Sequence, residues 1–235
     1  MSLILAIDQG THASRALALD ETGGVLASGV VDVGLVRPQE GWAEQDAEEI
    51  VASVFGAVAQ ALAELGARKA QVACAGLSSQ RASCVCWDRG SGRALSPVFS
   101  WQDRRAHAWI ASLEAVHGDA VHRKTGLYLS PHYGASKLRW ALDHLPAVGA
   151  ARDAGTLAWG PMASFLAFRL SKERTFAAEP QCAARTQLFG LRARDWDPEL
   201  LALFGLPAGF LPESVPTIHA WGTLEAGGIS VPLTA

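Results

Sequence analysis

The sequence has little to offer a membrane, a zinc ion or a nucleic acid. No apolar run approaches the ~20 residues that a membrane-spanning helix needs, and the first residues carry neither a basic leader nor a small-residue cleavage site. Both absences point to a cytoplasmic protein without a membrane partner. The four cysteines, Cys74, Cys84, Cys86 and Cys182, lack paired metal-ligand spacing and the seven histidines form no HExxH string, so no zinc site is expected. Cys84 and Cys86 alternate as strand residues do, both thiols on one face, and read as buried and reduced. Acidic and basic residues are interspersed and the formal charge is only −3. With no basic face or polybasic run, nucleic acid is not an expected partner and small polar ligands suit the surface better. Repeats, low-complexity tracts and linkers are also lacking, so one domain over residues 1–235 is the economical reading.

What is present is a chain with 49% apolar and 18% charged residues, able to bury a real core, with an α/β composition. An apolar strand, Leu3 to Ile7, runs into Asp8-Gln9-Gly10-Thr11 and, a few residues on, Arg15. Asp8 supplies a carboxylate for a hydrated Mg2+, Gly10 permits a backbone turn barred to other residues, and Thr11 and Arg15 offer donors to phosphate oxygens. The same four turn residues would equally serve as an ordinary hairpin connection. Position favours phosphate handling: an apolar strand precedes the turn, and Ala16 to Asp20 follows it to close an antiparallel pair. A third strand, near Val25 to Val33, follows the turn at Glu21 to Gly24.

Apolar residues at Ile50, Val54, Val58, Ala61, Leu62 and Leu65 predict a helix over Asp46 to Leu65, ended by Gly66. Strands are predicted over Gln71 to Leu77 and Ala82 to Trp87, separated by a turn at Ser78 to Arg81. A short strand from Ser96 to Trp101 delivers Gln102-Asp103-Arg104-Arg105. Helices are then expected over Ala106 to Val116, Tyr133 to Leu142, Gly160 to Leu170 and Pro198 to Phe204. The tail reads as strand fragments, Ile218 to Gly222 and Gly228 to Pro232, around a Gly-Gly turn. Leu233-Thr234-Ala235 then has nothing to pair with, and such an apolar end is what cutting a longer protein would leave.

Five segments in order resemble the amino-terminal half of the FGGY carbohydrate kinases, most closely the glycerol kinase branch. They are Asp8 to Arg15; Gly41-Trp42-Ala43-Glu44-Gln45-Asp46; Gly76-Leu77-Ser78-Ser79-Gln80-Arg81; Ser100-Trp101-Gln102-Asp103-Arg104-Arg105; and Cys182-Ala183-Ala184-Arg185-Thr186 with Asp195-Trp196-Asp197 after it. The fourth is the most specific string. The resemblance implies a ribonuclease H-like, actin-like ATPase domain with a mixed β-sheet flanked by helices, one of two domains that close on ATP and a sugar or polyol. It implies Mg2+-dependent transfer of the ATP γ-phosphoryl group to a hydroxyl, a reaction governed by charge neutralisation and positioning.

Matched residue by residue, the resemblance gives Asp8 to Mg2+ through water, and Gly10, Thr11 and Arg15 to the ATP phosphates. Arg81 would reach substrate hydroxyls, with a surface ion pair as its other reading. Trp101 would wall the carbon face of the substrate, with core packing as its other reading. Gln80 and Asp103 would orient these side chains. His12 and Ala13 stand where the family carries hydroxyls, Ala82 where glycerol kinases carry an acid, and His132 where they carry a tyrosine. A substrate other than glycerol, read by His132 or Tyr133, is therefore expected; His132 as a solvated loop residue stays open. The family's catalytic Asp lies in a Gly-Asp-Gln-type segment that this chain does not contain, nor does it contain the second, C-terminal kinase domain. The 235 residues alone are expected to be inactive, with an uncovered apolar face that favours self-association. A non-catalytic sugar-sensing protein of the same fold is the alternative.

Overall fold

The structure is a computed structural model that describes residues 2–235. Strands β1 (Leu3–Gln9), β2 (Ala13–Leu19) and β3 (Val25–Asp32) form an antiparallel meander. The short strand β4 (Glu44–Gln45) leads into helix α1 (Ala47–Leu65), whose crossover returns the chain as β5 (Val72–Ser79), parallel to β1. The first sheet therefore has the order β3-β2-β1-β5. β1 alternates buried and accessible residues, placing Leu3, Leu5 and Ile7 against the helix side.

Helix α1 starts where Asp46 accepts hydrogen bonds from the amides of Glu48 and Glu49, and ends at Gly66 with φ +60°. Both signals lie in the sequence as an acidic N-cap and a C-terminal glycine. Contrary to the expectation that no segment suits a membrane, the helical stretch Ala47–Gln71 is long and apolar enough to cross one by length and composition. Its apolar stripe, from Ile50 to Leu65, is spent on the core instead. The exposed face of α1 also covers the edge of the sheet. Gln60 and Glu64 accept from the amides of Val30 and Ser28, satisfying donors that an edge strand would leave open. Gly29 lets these elements meet, because a Cβ there would lie 2.0 Å from the Ala57 carbonyl oxygen. Gly29→Ala is expected to cost about 1–3 kcal/mol or more through this overlap, read as a lower urea midpoint.

The second sheet has the order β4-β7-β6-β8, with β6 (Cys84–Asp88), β7 (Val98–Phe99) and β8 (Leu157–Pro161). It separates two apolar clusters. Val85 and Trp87 face the cluster built with α1 and the first sheet, whereas Cys84 and Cys86 face the other. The shared face expected for the two cysteines is thus the period-2 geometry of a strand buried on both sides. The second cluster is completed by helices α2 (His107–Thr125), α3 (Gly134–His144) and α4 (Pro146–Asp153). Helix α5 (Met162–Leu170) packs into the first.

Several boundaries differ from the sequence reading. α2 runs nine residues beyond Val116 to a left-handed Gly126 cap, α4 was not foreseen, and residues 157–161 form a strand ahead of α5. The late hairpin pairs Thr223–Ala226 with Ile229–Pro232 around Gly227-Gly228, so Ile218 to Gly222 is not its first strand. The tail does find partners: Leu233 bridges Ala75 in parallel, and the Leu77 amide donates to the Ala235 carbonyl at 2.7 Å, on the free side of β5.

Candidate functional site

The C-terminal ends of β1 and β5 and the loops after β5, after β7 and before α3 converge on an open cleft of about 620 Å³. It brings together Asp8, Gly10, Thr11, Gln80, Arg81, Ala82, Trp101, His132 and Tyr133 from the residues singled out in the sequence, and adds Gln9, Ser79 and Arg185. This convergence follows from topology: β1 and β5 are parallel neighbours, so their ends open on the same edge, the usual location of ligands in open α/β sheets.

The first wall is the β1–β2 connection. The Gly10 amide donates to the Ala13 carbonyl at 2.9 Å, so the turn is a hairpin, and it also lines the cleft. Gly10 is not held in a left-handed conformation as expected. It is restricted by space instead, since a Cβ would stand 3.2 Å from the Ala13 carbonyl oxygen. Asp8 and Arg15 face each other across the two strands, their side chains 3.9 Å apart and more than half exposed. Arg15 therefore stands beside the turn, outside the lining proper.

A buried amide network lies beneath that wall. Gln80 Nε2 donates to the side-chain oxygens of Gln9 and Gln45 at 3.0 and 2.9 Å, and Ser83 Oγ donates to Gln80 Oε1 at 2.8 Å. Gln45 Nε2 in turn donates to the Thr11 carbonyl, while the Trp101 amide donates to Ser83 Oγ. Gln80 thus ties the Asp8–Thr11 turn to the opposite wall. Across the top, the Trp101 indole N–H donates to Thr11 Oγ1 at 3.0 Å. With 44% of its surface exposed, Trp101 is a wall of the cleft and not a core residue.

Arg81 is exposed, makes no ion pair among the described residues, and lines both this cleft and a neighbouring cavity. His132 Nδ1 lies 3.1 Å from the Trp101 carbonyl, which ties it to the loop it faces. Asp103 is placed differently from the other candidates. It is fully buried, accepts from the Ala43 amide and from Arg105 Nε and Nη2, and does not line the cleft. Its partner Arg105 also pairs with Glu44 at 2.6 Å and lies 3.9 Å from the Trp42 ring centre. Three further cleft residues, Gln9, Ser79 and Arg185, lie inside the segments that resemble the family, next to the candidate residues.

No group of three or more His, Cys, Asp or Glu able to hold a metal occurs among the described residues. Asp8 is the one carboxylate lining the cleft. Such a lone carboxylate fits a hydrated Mg2+ that takes its other ligands from water and phosphate, and fits poorly an ion needing a protein cage.

Burial shifts two groups below the cleft in opposite senses. The Lys137 ammonium is pushed down to about 8, mainly by desolvation, and the Cys84 thiol is pushed up to about 11 by the same cause. Between pH 8 and the ordinary lysine value of 10.5 the unfolded chain holds a proton that the folded chain has released, so the Lys137 contribution makes stability rise with pH. Above 9.0 the unfolded thiol loses a proton that the folded Cys84 keeps, and stability falls. Urea midpoints should climb between pH 8 and 9, and Lys137→Met should abolish that climb.

The sequence model of the FGGY family of carbohydrate kinases, N-terminal domain, matches residues 3–230. The glycerol kinase of Aromatoleum aromaticum is 39% identical over 236 residues, covering 99% of this chain and 48% of the relative. Glycerol kinase 1 of Pseudomonas aeruginosa is 38% identical, covering 98% of the chain and 47% of the relative. Among solved structures, Plasmodium falciparum glycerol kinase with ADP superimposes with a TM-score of 0.91 at 24% identity, over all of this chain and 48% of that one. A xylulose kinase from Rhodospirillum rubrum gives 0.87 at 22% identity, over 99% and 48%. The chain thus spans about half the length of the curated relatives it matches, and its fold is the ribonuclease H-like architecture of the actin-like ATPases. By this match over nearly its whole length, the chain belongs to the FGGY family of carbohydrate kinases and corresponds to their N-terminal domain.

Proposed function

We propose that residues 1–235 form a single N-terminal, acceptor-binding domain of an ATP-dependent kinase that transfers the γ-phosphoryl group to a sugar or polyol hydroxyl in the cytoplasm. The observation that carries this reading is the cleft itself, which the Asp8–Thr11 turn lines together with the exposed residues Arg81 and Trp101. In this reading Asp8 holds a hydrated Mg2+, which when bound neutralises phosphate charge. Gly10, Thr11 and Arg15 receive the phosphates at the turn. Arg81 donates to acceptor hydroxyls, Trp101 covers the carbon face, and His132 and Tyr133 close the far side. Gln80 and Asp103 hold this constellation from below.

The acceptor is a polyol or sugar other than glycerol. Ala82 lines the cleft with φ +64° and offers no side-chain acceptor where glycerol kinases place an acid. A matched buried acceptor is worth about 1–3 kcal/mol, so its loss penalises glycerol roughly 10- to 100-fold. Ala82→Glu in the full-length protein is expected to recover that factor in kcat/KM for glycerol. The left-handed backbone costs alanine and glutamate alike, so the change isolates the carboxylate.

The nucleotide base pocket and the catalytic carboxylate belong to the remainder of the kinase, so the 235 residues alone should not phosphorylate any acceptor. Beside Arg81 lies a second cavity of about 410 Å³ with a mixed lining, Leu77, Ala163 and Trp221 next to Ser79, Glu179 and Thr217, a surface suited to the C-terminal domain. In the isolated chain this surface would favour self-association, which light scattering at rising concentration reads. Reading the encoded sequence beyond Ala235 tests the proposal. A Gly-Asp-Gln segment within a few dozen residues supports a kinase, whereas a stop codon supports the sugar-sensing alternative that Ala82, His12 and Ala13 favour.

A further inference from the structure

Lys137, in the first turn of α3, is completely buried, has no carboxylate within ion-pair distance, and has no part in the proposed transfer. Taking an ammonium out of water costs several kcal/mol, and a core position that only needed filling would be better served by methionine or leucine. What the ammonium meets is three main-chain carbonyls from three separate loops. Nζ donates to Ser100 O and His132 O at 2.7 Å each, and lies 3.5 Å from Ala82 O.

Each of those carbonyls sits in or beside a wall of the acceptor half of the cleft. Ala82 follows Arg81, Ser100 precedes Trp101, and His132 precedes Tyr133. Carbonyl dipoles aimed at one point repel one another, and only a cation there turns the convergence into an attraction. A lysine carries three donors and no acceptor, which matches the number of carbonyls. The left-handed backbone of Ala82, unfavourable for a residue with a Cβ, turns its carbonyl towards this centre. The His132 ring completes the link by meeting the Trp101 carbonyl.

We propose that Lys137 is a positioning residue that fixes the Arg81, Trp101 and His132–Tyr133 loops relative to one another and so sets acceptor affinity without touching the acceptor. The Asp8–Thr11 turn has further ties of its own through Gln9, Gln45 and Gln80, beside the one bond it receives from the Trp101 indole. Loss of Lys137 should therefore weaken the acceptor side and spare the nucleotide side. This inference rests on the acceptor-domain reading given above.

The test uses the full-length protein and its Lys137→Met variant. KM is measured for ATP and for the best-used member of a panel of C3 to C6 polyols and sugars, and amide hydrogen exchange is followed in both proteins. The expected result is a rise of about tenfold or more in acceptor KM with ATP KM changed less than about twofold, and faster exchange confined to residues 81–84, 100–103 and 131–135. Unchanged constants, an equal shift in both constants, or faster exchange throughout both apolar clusters would overturn the proposal. If Lys137→Met does not accumulate as folded protein, Lys137→Gln, with two amide donors on a shorter stem, is measured in its place and judged by the same outcomes. If the unmodified protein uses no acceptor, the kinase reading fails by itself, and the confinement of the exchange change to the three loops alone decides the role of Lys137.

Discussion

Arg81→Ala in the full-length protein is expected to lower kcat/KM for the acceptor roughly 10²- to 10⁴-fold and to leave thermal stability unchanged. The size follows from two lost hydrogen bonds between a guanidinium and acceptor hydroxyls, at about 1.5–3 kcal/mol each for a charged donor. The unchanged stability follows from the free state of the side chain, which is exposed and makes no ion pair among the described residues. Arg81→Lys should recover little, because an ammonium presents a single point of charge where the guanidinium presents a planar fork. Steady-state kinetics at saturating ATP, with a melting curve for each variant, reads both halves of the expectation. A drop in melting temperature equal to that of a core substitution would show that Arg81 is a structural residue.

The second large effect is on folding. Asp103→Ala should cost about 3–5 kcal/mol, the usual cost of leaving a buried charge without its partner. Arg105 has only 1% of its side chain exposed and would keep Glu44 alone as a counter-charge, while the Ala43 amide would lose its acceptor. Rings of Trp42, Trp140 and Phe99, with centres 3.9, 4.5 and 4.6 Å from the Arg105 guanidinium carbon, hold the cation but cannot neutralise it. Asp103→Asn, which keeps an acceptor for Ala43, should lose less. Urea denaturation of the three proteins orders them as wild type, Asn and Ala; equal midpoints would refute the buried-pair account.

Much of the cleft was legible in the sequence because its residues follow strand ends marked by turn chemistry. The Asp8–Thr11 turn, the Ser78–Arg81 segment and the Trp101 loop all sit where an apolar run stops. The α1 helix was legible for the same reason, from the Asp46 cap to Gly66. Strand β8 was hidden because all five of its residues are buried and carry no alternation, and its last two, Gly160 and Pro161, merged into the helical pattern of α5. α4 was hidden by Pro146, which reads as a breaker but occupies the first helical turn, where its missing N–H costs nothing. The last nine residues of α2 carry only Ala120 and Val121 as apolar side chains, which leaves no stripe to follow.

The site itself was only partly legible, because burial is a property of the fold. Asp103 and Trp101 sit two residues apart in one string, yet one is sealed beneath the cleft and the other stands 44% exposed in its wall. Lys137 is the extreme case. A lone lysine on a helix reads as a solvated side chain, and nothing local announces that three loops aim their carbonyls at it.

The measurement that bears most directly on the central claim is phosphoryl transfer from ATP with Mg2+ to a panel of C3 to C6 polyols and sugars by the full-length protein. The account predicts transfer to at least one acceptor, with glycerol not the best, and none by residues 1–235 alone. No transfer to any acceptor by the full-length protein would contradict it.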